Sequence, residues 1–489
     1  MNLRALFFGL LLTSICVSSC LADDWPDWMG AKRDGVWREK GIVKKFPENG
    51  LKTLWRKPVG IGYTGPSVSE GKVYLMDFVA APRGTDSEKK SAAGKTPSAQ
   101  ESEQEKGGGK SEGKKQDKKK SAAPQLRGIK GTERIFCLSE KTGELVWEHK
   151  YESTLAISYP NGPRCTPIVN GDKVYTLGAM GKLICFQKAD GKIVWQKDLM
   201  EEYKTKPPIW GYASHPLIDG DVMYCTVGGD GSALVCFDKN TGKEIWRSLT
   251  TFDIGYVPLV IHTTMDTRQL IMWNGDGLVS VNPKDGKKNW DINLRESNPQ
   301  AQAINIAMPR FIGSQMLITD YYLGSMMIDL GSNGDKHDVV WRTTKKDLRA
   351  GEIMNSLMMT PYIKDGHAYG VGVNGRGGGH LMCVNLKDGK KVWSETTSLG
   401  KGRLTFASLF IVEHGDRCFL CNDQGELIIA KLTPDGYEEI SRAKMLDPTH
   451  NARGRTVVWS HPAFANGRIY ARNDKEIVCI DLREEAYKK

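Results

Sequence analysis

Arg164, His215 and His461 each stand just ahead of a proline, in Arg164-Cys-Thr-Pro167, His215-Pro216 and His461-Pro462. Trp210 opens the Trp-Gly-Tyr-Ala-Ser run before His215, and Tyr256, Arg310, Asn355 and Arg455 occupy comparable stretches. Guanidinium and imidazole groups drawn to one point would attract an anion through charge-assisted hydrogen bonds. The plainer alternative is that they hydrogen-bond strand ends and trapped water. These eight residues are the ligand-binding candidates, and no residue qualifies as catalytic, because no nucleophile-elbow or phosphate-loop pattern occurs. Cys418-Phe-Leu-Cys421 is the single C-x-x-C. In a strand its two side chains face opposite ways and no second pair follows, so it is not read as a metal site. Gly228-Gly-Asp-Gly231 offers one carboxylate, which suits a hairpin turn better than a calcium cage.

What would bring such residues together is a repeat. Trp147, Trp195, Trp246, Trp290, Trp341 and Trp393 follow one another at intervals of 48, 51, 44, 51 and 52 residues. Most are preceded by a Gly-Lys or Gly-Glu turn, as at Gly143, Gly191, Gly242, Gly286 and Gly389, and before that by an apolar strand. Further upstream each unit has a Pro-containing opening and an Asp-Gly or Asn-Gly turn, such as Asn170-Gly171, Asp219-Gly220, Asp365-Gly366 and Asn466-Gly467. Those dipeptides favour tight turns between antiparallel strands. Each unit therefore reads as a four-stranded meander, the size of one propeller blade, and blades must stack to bury both apolar faces.

Copies begin near Gly65-Pro66, Thr166-Pro167, His215-Pro216, Val257-Pro258, Pro309-Arg310, Thr360-Pro361, Ser408-Leu409 and His461-Pro462. The expected fold is all-β, an eight-bladed β-propeller of four-stranded antiparallel blades. The seventh copy has Ile440 where a Trp would fall, and the eighth ends at Asp481-Leu482 before a terminal strand. Leu51-Lys-Thr-Leu-Trp55 supplies the missing strand, so an N-terminal strand should close the ring and cover open edges. Cys137, Cys185, Cys236 and Cys383 each lie 10 residues before their Trp, and Cys479 shares the phase. One repeated, buried strand position explains them better than disulfides or metal binding.

Met1-Asn-Leu-Arg4 and the apolar run Ala5 to Val17 read as an export signal over residues 1–22. Cys20-Leu-Ala22 would suit an ordinary signal peptidase, whereas Val17-Ser-Ser-Cys20 resembles a bacterial lipobox that would lipidate Cys20. Both readings place the protein in the periplasm or cell envelope, with no transmembrane span in the mature chain. Residues 23–50 form an N-terminal extension, expected to pack outside the ring, and 51–489 the single propeller, expected to be monomeric. Residues 81–126 interrupt the first blade with a Lys/Glu/Gly/Ser-rich insertion whose composition predicts disorder. The formal charge of +10 is concentrated there: residues 81–130 hold 13 basic against 7 acidic residues, a surplus of 6 that leaves +4 elsewhere. Such a balance does not point to nucleic acid.

The unit Gly231-Ser-Ala-Leu-Val-Cys-Phe-Asp-Lys-Asn-Thr-Gly-Lys-Glu-Ile-Trp246 resembles the tryptophan-docking repeat of quinoprotein-type propellers. Asp23-Asp-Trp-Pro-Asp-Trp-Met-Gly30 with Arg33-Asp-Gly35 is similar to the start of secreted bacterial PQQ-binding-like propeller proteins. The resemblance covers roughly residues 50–485 without the insertion. It implies that Trp55, Trp147, Trp195, Trp246, Trp290, Trp341 and Trp393 dock adjacent blades. The family includes PQQ dehydrogenases and the outer-membrane assembly scaffold lipoprotein BamB. Two functions follow from it. One is a binding or scaffold module of the cell envelope, whose partner is an envelope protein or a small anionic ligand. The other is an alcohol or sugar dehydrogenase with PQQ and calcium in the central funnel. The adjacent-cysteine pair of the methanol- and ethanol-type dehydrogenases does not occur in this sequence.

Overall fold

The computed structural model describes residues 23–82, 128–159, 161–265, 267–295, 304–373, 378–402, 404–452 and 454–488. The leader over 1–22 with Cys20, and all of the 81–126 insertion beyond Pro82, lie outside the described residues. Among the described residues there are eight four-stranded antiparallel sheets, each formed by strands consecutive in the chain except the last. Blades 1 to 7 span residues 67–155, 168–198, 217–248, 260–293, 310–342, 362–395 and 409–444. Blade 8 spans 463–481 and takes its outermost strand from Lys52–Pro58. The propeller and its closure by an N-terminal strand are as the repeat required.

Local chemistry sets these elements. Asn466 and Gly467 both adopt positive φ, 56° and 69°, the backbone of the tight hairpin turn that joins the two inner strands of blade 8. The middle strands are buried on both faces, as in Lys173–Leu177 and Lys182–Gln187, which explains their aliphatic runs. The repeated cysteines sit opposite the repeated tryptophans: Cys137 pairs with Trp147, Cys185 with Trp195, Cys236 with Trp246, Cys383 with Trp393 and Cys479 with Trp55. Among the described residues all nine cysteines are free and buried. Cys418 and Cys421 face different core clusters, as expected of alternate strand faces.

Most of the tryptophans donate into the following blade. The indole N–H of Trp147 donates to Lys188 O, Trp195 to Lys239 O, Trp246 to Pro283 O, Trp341 to Leu386 O and Trp393 to Thr433 O. For Trp55, Trp147, Trp195, Trp246 and Trp341 the ring lies against the glycine of that blade's last turn. At Gly143 an added β-carbon would stand 2.7 Å from the Trp55 ring, and at Gly191 2.6 Å from Trp147, so only glycine fits. Trp290 departs from the pattern. Its N–H turns back to Gln269 Oε1 within its own blade, and its ring stacks on His337 of blade 5.

The closing strand is fixed at both edges. Trp55 pairs with Cys479 of blade 8, while its indole donates 2.8 Å to Glu140 O of blade 1. The Glu140 carboxylate in turn accepts from Asn466, Arg468 and Tyr470 of blade 8. Arg472, fully buried, donates across the same junction to Met76 O and Gly60 O.

The opening segment, expected outside the ring, instead crosses the central channel. Trp25 exchanges backbone hydrogen bonds with Val68 of blade 1, and Pro26 O accepts from Val169 of blade 2. Arg33 donates to Pro216 O of blade 3, and Asp34 O accepts from Arg310 of blade 5. Gly35 and Trp37 pair with Glu413 of blade 7, and the Glu39 carboxylate accepts the amides of Asn466 and Gly467 in blade 8. Inner strands present unpaired backbone groups toward the channel, and this segment satisfies them from within. No repeat period marks it, so nothing in its sequence pattern reveals that destination.

Candidate functional site

The channel has two polar zones. The first lies where chain segments enter the inner strands of blades 8, 1 and 2. Tyr63 precedes the inner strand of blade 1, Asn161 and Arg164 that of blade 2, and Trp459 that of blade 8. His450 comes from a short hairpin between blades 7 and 8, His450–Ala452 with Arg455–Val457, and Asp474 from a turn in blade 8. Tyr63 Oη lies 2.8 Å from His450 Nε2, and His450 Nδ1 lies 2.5 Å from Asn161 Nδ2 and 3.3 Å from Asp474 Oδ2. Asn161 also donates to Asp474 at 2.9 Å. The Arg164 guanidinium sits 5.3 Å over the Tyr63 ring, a cation–π contact between a buried cation and a half-buried ring. Burial pushes the Tyr63 hydroxyl above its usual range and pulls Arg164 below its own. Trp210 and Tyr256 join this zone on blades 2–3 and 3–4, their rings 5.1 Å apart and the Trp210 amide donating to Tyr256 Oη.

The second zone is where the N-terminal segment fills the channel. Trp28 stacks on His215 with centroids 5.1 Å apart and meets His461 edge-on at 5.3 Å. Arg33 Nε lies 3.7 Å from Asp27 Oδ2, and Phe410 covers the other side of His461 at 3.9 Å. Burial, reinforced by Arg33 and His461, holds His215 well below the usual imidazole range, and burial alone takes His461 to about 3. Both rings are therefore neutral. Burial raises the Asp27 carboxyl, against the opposing pull of Arg33.

The eight candidates thus divide. Arg164, Trp210 and Tyr256 share the first zone, and His215, His461 and Arg310 face the N-terminal segment. Asn355 is elsewhere, accepting from the Val373 amide and donating to Tyr321 O. Arg455 grips Asp423 with both terminal nitrogens at 2.9 and 2.5 Å and donates to Thr405 O. Tyr63, His450, Trp459 and Asp474 escaped the sequence reading because they lie in connections with no repeat phase. Trp28 and Arg33 carried one visible signal, the density of tryptophan and charge in Trp25-Pro-Asp-Trp28-Met-Gly-Ala-Lys-Arg33.

A polycarboxylate quinone such as PQQ needs cations whose donors face the channel. Three of the buried guanidinium groups are already engaged. Arg164 binds Gly162 O, Ser158 O and Tyr159 O; Arg472 binds three carbonyls; Arg455 is paired with Asp423. Among the described residues no three His, Cys, Asp or Glu side chains are grouped to hold a metal ion. Arg164, Arg472 and Arg455 therefore have no free fork to offer a polycarboxylate.

Comparison with known proteins places the fold among relatives. The family model described as outer membrane protein assembly factor BamB matches residues 131–394 and 331–488. The outer membrane protein assembly factor BamB of Shewanella oneidensis is 23% identical over 263 residues, 52% of this chain and 63% of that protein. The chain therefore spans under two thirds of that relative's length. Two quinohemoprotein alcohol dehydrogenases share the fold. That of Comamonas testosteroni is 12% identical with a TM-score of 0.55, and ADHIIG of Pseudomonas putida HK5 is 11% identical with a TM-score of 0.58. Each alignment covers 94% of this chain and 80% of the dehydrogenase. Identity at that level speaks to the fold alone. With the family model running from blade 1 through blade 8, the chain belongs to the family of the outer membrane protein assembly factor BamB.

Proposed function

We propose that this protein is an exported binding module of the bacterial cell envelope that assembles with envelope proteins through the outer rim of its ring. The observation that carries the reading is a row of exposed aliphatic side chains on the outermost strands. Leu145 and Val146 on blade 1, Ile193 and Val194 on blade 2, Ile245 on blade 3, Val339 and Val340 on blade 5 and Val392 on blade 6 are 39–58% exposed. Apolar residues along edge strands are what monomers avoid and partners cover. The channel supports the same reading from the other direction, since the chain's own N-terminal segment fills it. The leader-like residues 1–22 support a periplasmic or envelope location, whether Cys20 is removed with them or carries a lipid anchor.

A photo-crosslinking residue placed at Val146, Val194 or Val340 in intact cells tests this. The expected result is an adduct with one defined envelope protein, and none from positions facing the channel. An absence of rim adducts, with unaltered outer-membrane protein levels in cells lacking the protein, would sink the proposal.

A further inference from the structure

At the channel mouth the hydrogen bonds around His450 decide which polar groups are spent and which are free. The Asn161 amide nitrogen lies 2.9 Å from Asp474 Oδ2 and 2.5 Å from His450 Nδ1, closer to each than the two are to one another at 3.3 Å. A carboxylate only accepts, so the NH2 end of the amide faces Asp474, and the same nitrogen is the donor to His450 Nδ1. The imidazole is then neutral, carries its proton on Nε2 and donates to Tyr63 Oη at 2.8 Å. Tyr63 accepts that bond, and its own O–H has no acceptor among the described residues. This order of bonds excludes a relay in which His450 draws a proton from Tyr63, because Nε2 already holds one.

The far side of the imidazole offers the opposite polarity. Asn161 Oδ1 meets no donor among the described residues, and Asp474 Oδ1 takes only the Gly62 amide, at 3.4 Å. Tyr63, Asn161, Trp459 and Asp474 are all half-buried, so the cluster is wetted and not sealed. The Tyr63 and Trp459 rings stand 6.2 Å apart and both pack against His450. The N-terminal segment occupies the other end of the channel. Trp37 meets Glu413 near the end of blade 7's inner strand, and Glu39 holds the turn after that of blade 8, whereas Tyr63, Asn161 and Trp459 precede inner strands.

An anion asks for donors and a cation for acceptors. A free donor on one side of an imidazole and free acceptors on the other suit hydroxyl groups, each of which gives one bond and takes others. Half-exposed aromatic rings suit the apolar C–H face of a sugar ring, which meets the negative face of the π-system. We infer that the channel mouth binds a neutral sugar, with the Tyr63 hydroxyl as donor and Asn161 Oδ1 and Asp474 Oδ1 as acceptors. The site is independent of the rim surface proposed above, and either can fail without the other.

The test applies the full exported chain to an array of bacterial glycans and titrates the free sugars of any bound glycan against tryptophan fluorescence. Succinate and spermidine serve as the anionic and cationic controls. Saturable binding of neutral glycans is expected, with no response to either control. Tyr63→Phe keeps the ring and removes the donor, and should weaken the sugar about fivefold or more. Nitrogen-15 spectra of the natural chain should show the His450 proton on Nε2, a readout that needs neither a variant nor a ligand. A proton found on Nδ1 would return the Tyr63 hydroxyl to His450 and remove the free donor. A bare array, or succinate binding as well as any sugar, would overturn the inference. A sugar affinity unmoved in Tyr63→Phe would place the ligand elsewhere and overturn it equally.

Discussion

The indole of Trp55 donates a 2.8 Å hydrogen bond to the main-chain carbonyl of Glu140, joining a strand of blade 8 to blade 1 across the point where the ring closes. The same device recurs at most blade junctions, but only here do the two partners come from opposite ends of the fold.

Trp55→Ala should destabilise the ring by about 3–5 kcal/mol, the usual cost of removing a buried tryptophan. Trp55→Phe keeps most of the packing against Gly143 and loses the hydrogen bond, so about 1 kcal/mol is expected. Urea denaturation followed by tryptophan fluorescence measures both. Equal losses in the two variants would show that packing contributes nothing at this junction.

Glu140→Ala removes the acceptor of Arg468 and Tyr470 together and strands a guanidinium in a largely buried site. A loss of about 3–5 kcal/mol is expected, since breaking one side of such a pair leaves the other uncompensated. Adding Arg468→Met to the variant should recover part of it. A double variant no more stable than Glu140→Ala would remove this account.

Two buried groups give stability opposing dependences on pH. Burial raises the Glu133 carboxyl from 4.5 to about 7, partly offset by hydrogen bonds from Tyr151 and the Ala179 amide. The fold therefore retains a proton that the unfolded chain releases. Stability from this group is full below about pH 4.5, falls as pH rises and is lost by about pH 7, a change of about 3 kcal/mol. His461 works in the other sense. Its depressed value of about 3, against 6.5 when free, means stability is lost as pH falls from 6.5. Glu133→Gln should flatten the neutral limb of a Tm-against-pH profile and His461→Asn the acid limb. A profile unmoved by either substitution would reject the assignments.

Trp28→Ala should loosen the N-terminal segment without opening the blades. The expected signs are rapid proteolysis within residues 25–46 and unchanged protection of the blade strands in hydrogen exchange. Cleavage no faster than in the natural protein would mean that the backbone pairs at Trp25 and Glu413 hold the segment by themselves.

The blades were legible in the sequence because each must satisfy the same packing problem, so Trp, Gly and Cys return in fixed phase. Trp55 could be placed for the same reason, as the one tryptophan strand missing from the count. The N-terminal segment offered no such regularity. Its partners, Val68, Val169, Pro216, Arg310 and Glu413, are spread along more than 300 residues, and only the closed ring gathers them. The polar mouth was hidden similarly, since Tyr63, His450 and Asp474 meet across blades with no shared motif. Asn355 and Arg455 looked like ligand groups by type and position, yet each is taken up by its own neighbourhood. Trp290 shows the limit within the repeat itself, where a nearby Gln269 captures the indole that its phase assigned to the next blade.

The strand Lys52–Pro58 and the segment before it precede every blade in the chain, yet their partners include the last blade. During synthesis they must wait while more than 400 residues follow, so segments made before the blades are among the last to be seated. Until residues 476–481 arrive, the closing strand has no strand to pair with. Completion is thus a single late event, so a chain truncated by a few tens of residues should lose its beginning as well as its end.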